Sequence, residues 1–72
     1  MERIYDTTYI GLHAKKRRKE LGMTQSRLAN ISGVNRRFIS ELERGKPTIQ
    51  LDKVIDILNM LGLDLYVSER GV

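Results

Sequence analysis

Cysteine is absent from this chain, and histidine and proline each occur once. Without cysteine, neither a disulfide framework nor a Cys-based zinc site can brace the fold. A chain of 72 residues forms one small domain, which buries only about 60% of the surface that its unfolded form exposes. We therefore expect a single domain, residues 1–72, that relies on apolar packing for its stability and gains from dimerisation.

Long apolar runs and catalytic motifs are missing as well. No stretch approaches the ~18 apolar residues of a membrane-spanning helix, and no hydrophobic signal region follows Met1. His13, the only histidine, is expected on the surface, and no residues assemble a phosphate loop, a metal cluster or a catalytic triad. The sequence therefore predicts a soluble, cytoplasmic protein that is not an enzyme and needs neither metal nor cofactor.

Basic residues outnumber acidic ones, and their placement is more informative than their excess. Thirteen Lys and Arg against nine Asp and Glu give a net charge of +4. Five basic residues form an unbroken run at 15–19, four more lie between Arg36 and Lys46, and the chain from residue 50 onward is nearly neutral. This distribution favours nucleic acid as a partner, although a solvated helix face or a nuclear-localisation signal would also contain such a run.

Helix signals divide most of the chain into four segments. A good N-cap residue precedes or begins each of the first three, and glycines mark the predicted ends. Pro47 prevents the third helix from continuing, so a loop connects it to the fourth. The predicted helices are 7–21, 25–32, 36–44 and 51–61; the N-cap candidates are Asp6, Thr7 or Thr8, Thr24 and Asn35; the terminating glycines are Gly22, Gly33, Gly45 and Gly62.

Apolar residues at helical spacing define a predicted core. The fourth helix has the strongest stripe, with apolar residues at i, i+3, i+4, i+7 and i+10 counted from Leu51. Arg17 falls on the same stripe of the first helix as its apolar residues, and Phe38 is expected at the edge of the core rather than as a reader of thymine methyl groups. The predicted core residues are Ile10, Ala14, Leu21, Leu28, Ala29, Ile31, Val34, Ile39, Leu42, Leu51, Val54, Ile55, Leu58 and Leu61.

The C-terminal tail has a different period from the helices. Apolar residues at 63, 65 and 67 alternate with Asp64, Tyr66 and Ser68, which predicts a short β-strand at 63–67. A lone strand cannot satisfy its own backbone donors and acceptors, so it needs a partner. Residues 3–5 are one candidate, and the same tail of a second subunit is the favoured one. The predicted dimerisation residues are Leu63, Leu65, Tyr66 and Val67.

The third helix separates an apolar side from a polar, basic side. At about 100° per residue, Ile39 and Leu42 define the inward direction, whereas Arg36 lies in the first turn and can reach past the helix end. Arginine pairs bidentately with guanine O6 and N7 or clamps a phosphate, and the first turn favours base contact. Glu41 can accept a hydrogen bond from cytosine N4 or orient an arginine, and Arg44 is predicted to contact a phosphate or to be structural. The outward residues are Arg37, Ser40, Glu41 and Arg44.

The start of the second helix offers a second kind of contact. Thr24 caps this helix, and the free amides of Gln25 and Ser26 suit a phosphate, while the Gln25 side chain can reach a phosphate or a base. Helix capping alone, with no role in DNA binding, would also account for the presence of Thr24 and Gln25. A helix-turn-helix is predicted at 25–44. The predicted DNA-binding set, within it and directly beside it, is Thr24, Gln25, Ser26, Asn35, Arg36, Arg37, Ser40, Glu41, Arg44 and Lys46.

Several motifs together resemble one family. LGMTQ at 21–25, LA at 28–29, GV at 33–34, IS at 39–40 and LERG at 42–45 resemble the XRE family, which includes lambda-type phage repressors and Cro. The resemblance spans about 10–61 and implies an all-α, four-helix, lambda repressor-like DNA-binding domain. It further implies an ion pair between Arg18 and Glu43, which leaves Lys15 and Lys19 for weaker contacts with the DNA backbone. Arg17, a longer loop before the fourth helix and the lack of a fifth helix depart from the family pattern.

A subgroup of that family shares two further motifs. FISELERGKPT at 38–48 followed by LGLDL at 61–65 resembles the HipB-like antitoxins. This resemblance implies a C-terminal strand that pairs across a homodimer, a HipA-type kinase toxin as partner, and autoregulation of the protein's own operon. Such a dimer is expected to bind an inverted-repeat operator and to be associated with the bacterial nucleoid. The alternatives are a stand-alone phage-type or restriction-control regulator, or a protein-interaction module whose helix-turn-helix no longer binds DNA.

Overall fold

A computed structural model describes residues 2–71 as four α-helices. The predicted all-α, four-helix core is confirmed, but three helices end one residue earlier than predicted, because Leu21, Arg44 and Leu61 are C-cap residues. No helix among the described residues is both long and apolar enough to cross a membrane. The helices are α1 (Thr7–Glu20), α2 (Gln25–Ser32), α3 (Arg36–Glu43) and α4 (Leu51–Met60).

Side-chain caps fix where the first three helices begin. Asp6, rather than Thr7 or Thr8, caps α1 and accepts a hydrogen bond from the amide of Thr8 at 2.9 Å. Thr24 Oγ1 accepts from the amide of Arg27 at 3.0 Å, and Asn35 Oδ1 accepts from that of Phe38 at 2.8 Å. Each cap satisfies an amide that the helix itself leaves without a partner. Gly33 at the C-cap of α2, with φ of +71°, and Asn35 at the N-cap of α3 define the turn between these two helices on both sides.

The core is built from all four helices. The predicted residues Val54, Leu58 and Leu61 of the last segment are buried, but the other two predicted there are not. Leu51 and Ile55 are 55% and 38% exposed, whereas Ile57, which was not predicted, is 1% exposed. Ile31 on α2 and Leu21 after α1 also lie at the surface. The prediction for Leu51 and Ile55 was wrong because α4 carries apolar residues on more than one side, so their spacing alone does not select the buried face. The buried apolar residues are Ala14, Leu28, Ala29, Ile39, Leu42, Val54, Ile57, Leu58 and Leu61.

A glycine within α1 allows this helix to approach α3 closely. A methyl group at Gly11 would overlap the carbonyl oxygen of Leu42 and lie 2.8 Å from that of Glu43. Glycine in a helix interior costs about 1 kcal/mol relative to alanine, so its presence here is explained by packing rather than by helix propensity. The close approach brings the backbone of α1 at Gly11 against the C-terminal end of α3.

Arg17 links α1 to the end of α4. Its Nε donates a hydrogen bond of 2.8 Å to the carbonyl oxygen of Leu61, one of the acceptors that a helix C-terminus leaves free. A cation in this position also complements the negative end of the helix dipole. This contact gives a structural role to the charged residue at a position where the family resemblance led us to expect an apolar one.

The predicted strand at 63–67 is not formed, and the described residues contain no β-strand. The amide of Leu63 donates to the carbonyl of Leu58 at 2.8 Å, but no backbone hydrogen bond joins residues 64–71 to another described segment. Residues 3–5, the partner considered within the chain, do not pair with the tail. Because a strand exists only when a second strand accepts its hydrogen bonds, one copy of the chain leaves this tail extended and unpaired.

Candidate nucleic-acid interface

The outer side of α3 presents a set of polar and basic residues on a rigid helix. Ile39, Leu42 and Glu43 face inward and are buried, so their neighbours on the opposite side face solvent. Among the predicted DNA-binding residues, the structure leaves Thr24, Ser26, Asn35, Arg36, Arg37, Arg44, Lys46, Lys15 and Lys19 exposed, and leaves Gln25, Ser40 and Glu41 half-buried.

An ion pair beneath this surface joins α1 to α3. Arg18 Nε lies 2.6 Å from Glu43 Oε2, and Arg18 Nη2 lies 3.0 Å from Glu43 Oε1, which is a two-point contact between buried side chains. Arg18 Nη1 also donates to the carbonyl oxygen of Met23 at 2.7 Å. The hydrogen bond to Glu43 raises the pKa of Arg18 above its ordinary value despite burial. The pair thus fixes α1, α3 and the loop that leads into α2.

Gln25 extends this buried pair to the surface. Its Nε2 donates to Glu43 Oε1 at 3.1 Å, and its Oε1 accepts from Arg36 Nη1 at 3.3 Å. A continuous set of hydrogen bonds therefore runs from Arg18 in the interior to Arg36 at the exposed start of α3. No sequence signal indicates this connection, because it depends on how α2 and α3 are placed relative to each other.

Glu41 and Lys46 form a second pair, at the other end of α3. Lys46 Nζ lies 2.8 Å from Glu41 Oε2. This hydrogen bond is the largest cause of a lowered pKa of Glu41; burial opposes it less strongly, and the positive charges of Lys46, Arg37 and Arg44 each lower the pKa further. The carboxylate is therefore ionised at neutral pH, and the pair is lost only as the pH falls through that lowered value. Glu41 was predicted either to accept a hydrogen bond from cytosine N4 or to orient an arginine. Its contact with Lys46 resembles the second role, with a lysine in place of the arginine.

Lys53 is a basic residue near this surface that was not predicted. Its Nζ lies 5.8 Å from the centre of the Phe38 ring, and it borders a shallow polar cleft together with Arg37 and Lys46. Phe38 is half-buried and packs against the core, at the edge position expected for it. Lys53 belongs to α4, so only the folded arrangement brings it next to α3.

The N-terminal segment and the tail border a separate groove on the protein. Leu63 is half-buried there beside Ile10 and Leu58, while Leu65, Tyr66 and Val67 remain exposed, Val67 almost completely. His13, expected on the surface, is half-buried, and its Nε2 lies 2.7 Å from Glu2 Oε2. Among the described residues, no group of three or more His, Cys, Asp or Glu side chains is placed to hold a metal ion.

Known proteins share both the sequence pattern and this fold. A model of the helix-turn-helix family matches residues 15–67. An uncharacterised HTH-type transcriptional regulator of Sinorhizobium fredii is 40% identical over 70 residues, which cover 97% of this chain and 92% of that protein. Another such regulator, from Haemophilus influenzae, is 34% identical over 50 residues, which cover 69% of this chain and 51% of that protein.

Solved structures with the same fold include complexes of HipB. The chain in the structure of a HipA–HipB–O2–O3 complex has a TM-score of 0.86 and 28% identity, covering 99% of this chain and all of the other. The chain in a HipB–O4 20mer complex has a TM-score of 0.85 and 28% identity, with the same coverage. The four helices and the polar outer side of α3 define a DNA-binding regulator. The chain belongs to the helix-turn-helix family, in its XRE class, and has a HipB-like fold.

Proposed function

We propose that this protein is a dimeric, sequence-specific transcriptional repressor and the antitoxin of a HipBA-like module. The observation that carries the proposal is α3, whose exposed Arg36 and Arg37 are presented on a helix fixed from below by a buried ion pair. A recognition helix reads bases through its first turns, and arginine is the side chain best suited to guanine. The likeness to HipB in DNA complexes supports the same placement in the major groove.

The proposed operator is an inverted repeat, because two copies of the chain related by a two-fold axis present two copies of α3. Half-sites lie about 34 Å apart, one turn of DNA. The extended tail supports dimerisation, since its backbone groups are unpaired in the described chain and its apolar side chains Leu65 and Val67 are exposed. Pairing with the tail of a second copy would satisfy both. In this proposal the predicted strand forms only in the dimer.

The proposed partner is a HipA-like kinase, and the likeness to a chain from a HipA–HipB complex supports it. We place the toxin contacts away from α3, because repression with the toxin bound requires a free DNA face. In this proposal the chain itself acts in the bacterial cytoplasm by binding and has no catalytic role. A kinase-like reading frame next to the gene supports an antitoxin, whereas its absence favours a stand-alone regulator.

Selection of bound DNA from a random pool with the purified protein tests the central proposal. We expect enrichment of one inverted repeat whose half-sites are centred about 10 base pairs apart. Affinity for it should fall steeply with salt, by a slope of about −0.9 per neutralised phosphate. A protein in which both Arg36 and Arg37 are replaced by alanine serves as the control. Failure of the intact protein to enrich any sequence would instead support a protein-interaction module.

Arg37→Ala is expected to weaken binding to the selected operator by about 1–3 kcal/mol and to relax the preference at one base pair. The physical reason is the loss of a bidentate contact with a guanine edge. Fluorescence anisotropy on the operator and on its single-base variants measures both effects. Arg3→Ala, the same change of charge in the N-terminal segment, is the matched control. A uniform loss on every sequence would mean that Arg37 contacts a phosphate.

Val67→Asp is expected to convert the dimer to a monomer, because it places a charge on the apolar side of the paired tails. Sedimentation velocity measures the change, and binding to the inverted repeat should weaken with it. Ser68→Asp is the matched control, since successive residues of a strand point to opposite sides. If Val67→Asp remains as dimeric as the unmodified protein, the tails do not form the interface.

A further inference from the structure

Gln25 occupies a position between a buried ion pair and an exposed arginine. Its amide contacts Glu43 on the inner side at 3.1 Å and Arg36 on the outer side at 3.3 Å. Gln25 belongs to α2, whereas both of its partners belong to α3. The amide therefore joins the two helices of the motif at the point where α3 begins.

The chemistry of the two partners permits only one orientation of the Gln25 amide. An ionised carboxylate accepts hydrogen bonds and cannot donate, and a guanidinium donates and cannot accept. The NH₂ group must therefore point inward to Glu43 and the carbonyl oxygen outward to Arg36, as the structure has them. The reverse orientation would place donor against donor and acceptor against acceptor.

Glu43 is itself held in place by Arg18. The two-point contact at 2.6 and 3.0 Å uses both carboxylate oxygens, and the remaining Nη1 of Arg18 is bound to the backbone of Met23. Glu43 Oε1 accepts from both Arg18 and Gln25, so it cannot turn away without breaking the buried pair. The direction of the Gln25 amide is thus set by groups that are buried and fixed.

We propose that Arg18 and Glu43, besides stabilising the fold, are positioning residues that act through Gln25 to orient Arg36 for base recognition. With its carbonyl held outward, Gln25 anchors one nitrogen of the Arg36 guanidinium and restricts a side chain that otherwise has many rotamers. Preorganising a reader in this way lowers the entropic cost of binding and favours one base over the others. The inference rests on the proposed DNA-binding function.

A double-mutant cycle between Gln25 and Arg36 tests the connection. Gln25→Met keeps the length of the side chain but can neither donate nor accept through an amide. On the selected operator we expect Gln25→Met to bind about fivefold more weakly, the worth of one hydrogen bond. In an Arg36→Met background the same change should cost clearly less, because only the direct contact of Gln25 with DNA is then lost. Independent, additive losses would overturn the proposal.

To test the role of the buried ion pair, a variant must remove both charged side chains, so that neither is left buried without its partner. Arg18→Met/Glu43→Leu replaces both partners with apolar groups, a change that folded proteins often tolerate. We expect the variant to lose discrimination at the base pair read by Arg36 as Gln25→Met does. Discrimination at the base pair read by Arg37 is the internal control and should persist. Loss at both base pairs would indicate a general distortion of α3 and contradict the proposal.

A measurement without DNA separates this inference from the proposed function. The order parameter of the Arg36 Nε–H group, from ¹⁵N relaxation, reports how firmly the guanidinium is held. We expect it to fall in Gln25→Met and in Arg18→Met/Glu43→Leu, while that of Arg37 does not change. An unchanged Arg36 value in Gln25→Met would overturn the positioning role even if the protein binds DNA. A protein that binds no DNA but shows the fall would contradict only the proposed function.

Discussion

Arg18→Met is expected to lower the free energy of unfolding by about 3–5 kcal/mol, which is much of the stability of a domain this small. The side chain of Glu43 is buried, and Arg18 supplies two of its three side-chain hydrogen bonds. Removing the guanidinium leaves a carboxylate in the interior with only the amide of Gln25 to compensate it. A buried charge without its partner costs far more than the pair contributes when both members are present.

Urea denaturation followed by circular dichroism at neutral pH measures this loss. Arg18→Met/Glu43→Leu is the control, because it removes the charge along with its partner and should recover most of the stability lost in the single variant. If both variants were equally destabilised, the loss would come from packing of the arginine stem rather than from an unpaired carboxylate. In that case the ion pair would not account for the stability of the α1–α3 contact.

The sequence was most informative where local chemistry decides the structure. The second helix was predicted at 25–32 and is found there, because Thr24 caps its start and Gly33 adopts a positive φ at its end. The other helices end one residue early, since the residue before each terminating glycine already has cap geometry. Caps and glycines act over three or four residues, so a sequence reveals them directly.

Features that depend on two distant segments were less predictable. The alternation at 63–67 has the period of a strand, but a strand also requires a partner that one chain does not provide. On α4, apolar residues cover several sides, and only contact with the other helices decides that Ile57 rather than Leu51 is buried. Periodicity describes one segment, whereas pairing and burial are properties of the assembled fold.

The same distinction applies to the DNA-binding surface. The wheel of α3 placed Arg37 outward and Arg36 in the first turn from local geometry alone, and the structure has both exposed. The pairing of Arg18 with Glu43, 25 residues apart, came only from family resemblance. The position of Lys53 beside α3 and the side-chain hydrogen bonds of Gln25 could not be predicted from the sequence, because both depend on how neighbouring helices pack.

Gly45→Ala is expected to destabilise the fold by about 2–5 kcal/mol, through two effects that act together. Gly45 has φ of +78°, a left-handed conformation that costs an L-residue about 1–2 kcal/mol. A methyl group there would also lie 2.7 Å from Thr8 Cα and 3.0 Å from its amide nitrogen. This overpacking costs about 1–3 kcal/mol more, because the first turn of α1 must move.

Gly22→Ala separates the two effects, because Gly22 has nearly the same φ, +70°, but nothing within 4 Å of an added methyl group. We expect this control to lose only the conformational part, about 1–2 kcal/mol. The additional loss in Gly45→Ala, measured by urea denaturation, then reports the contact between α1 and the end of α3. The hydrogen bond of 2.7 Å from Thr7 Oγ1 to the carbonyl of Gly45 should weaken as well. Equal losses of unfolding free energy in the two variants would mean that the first turn of α1 can shift at no cost. In that case its contact with Gly45 would not fix the end of α3.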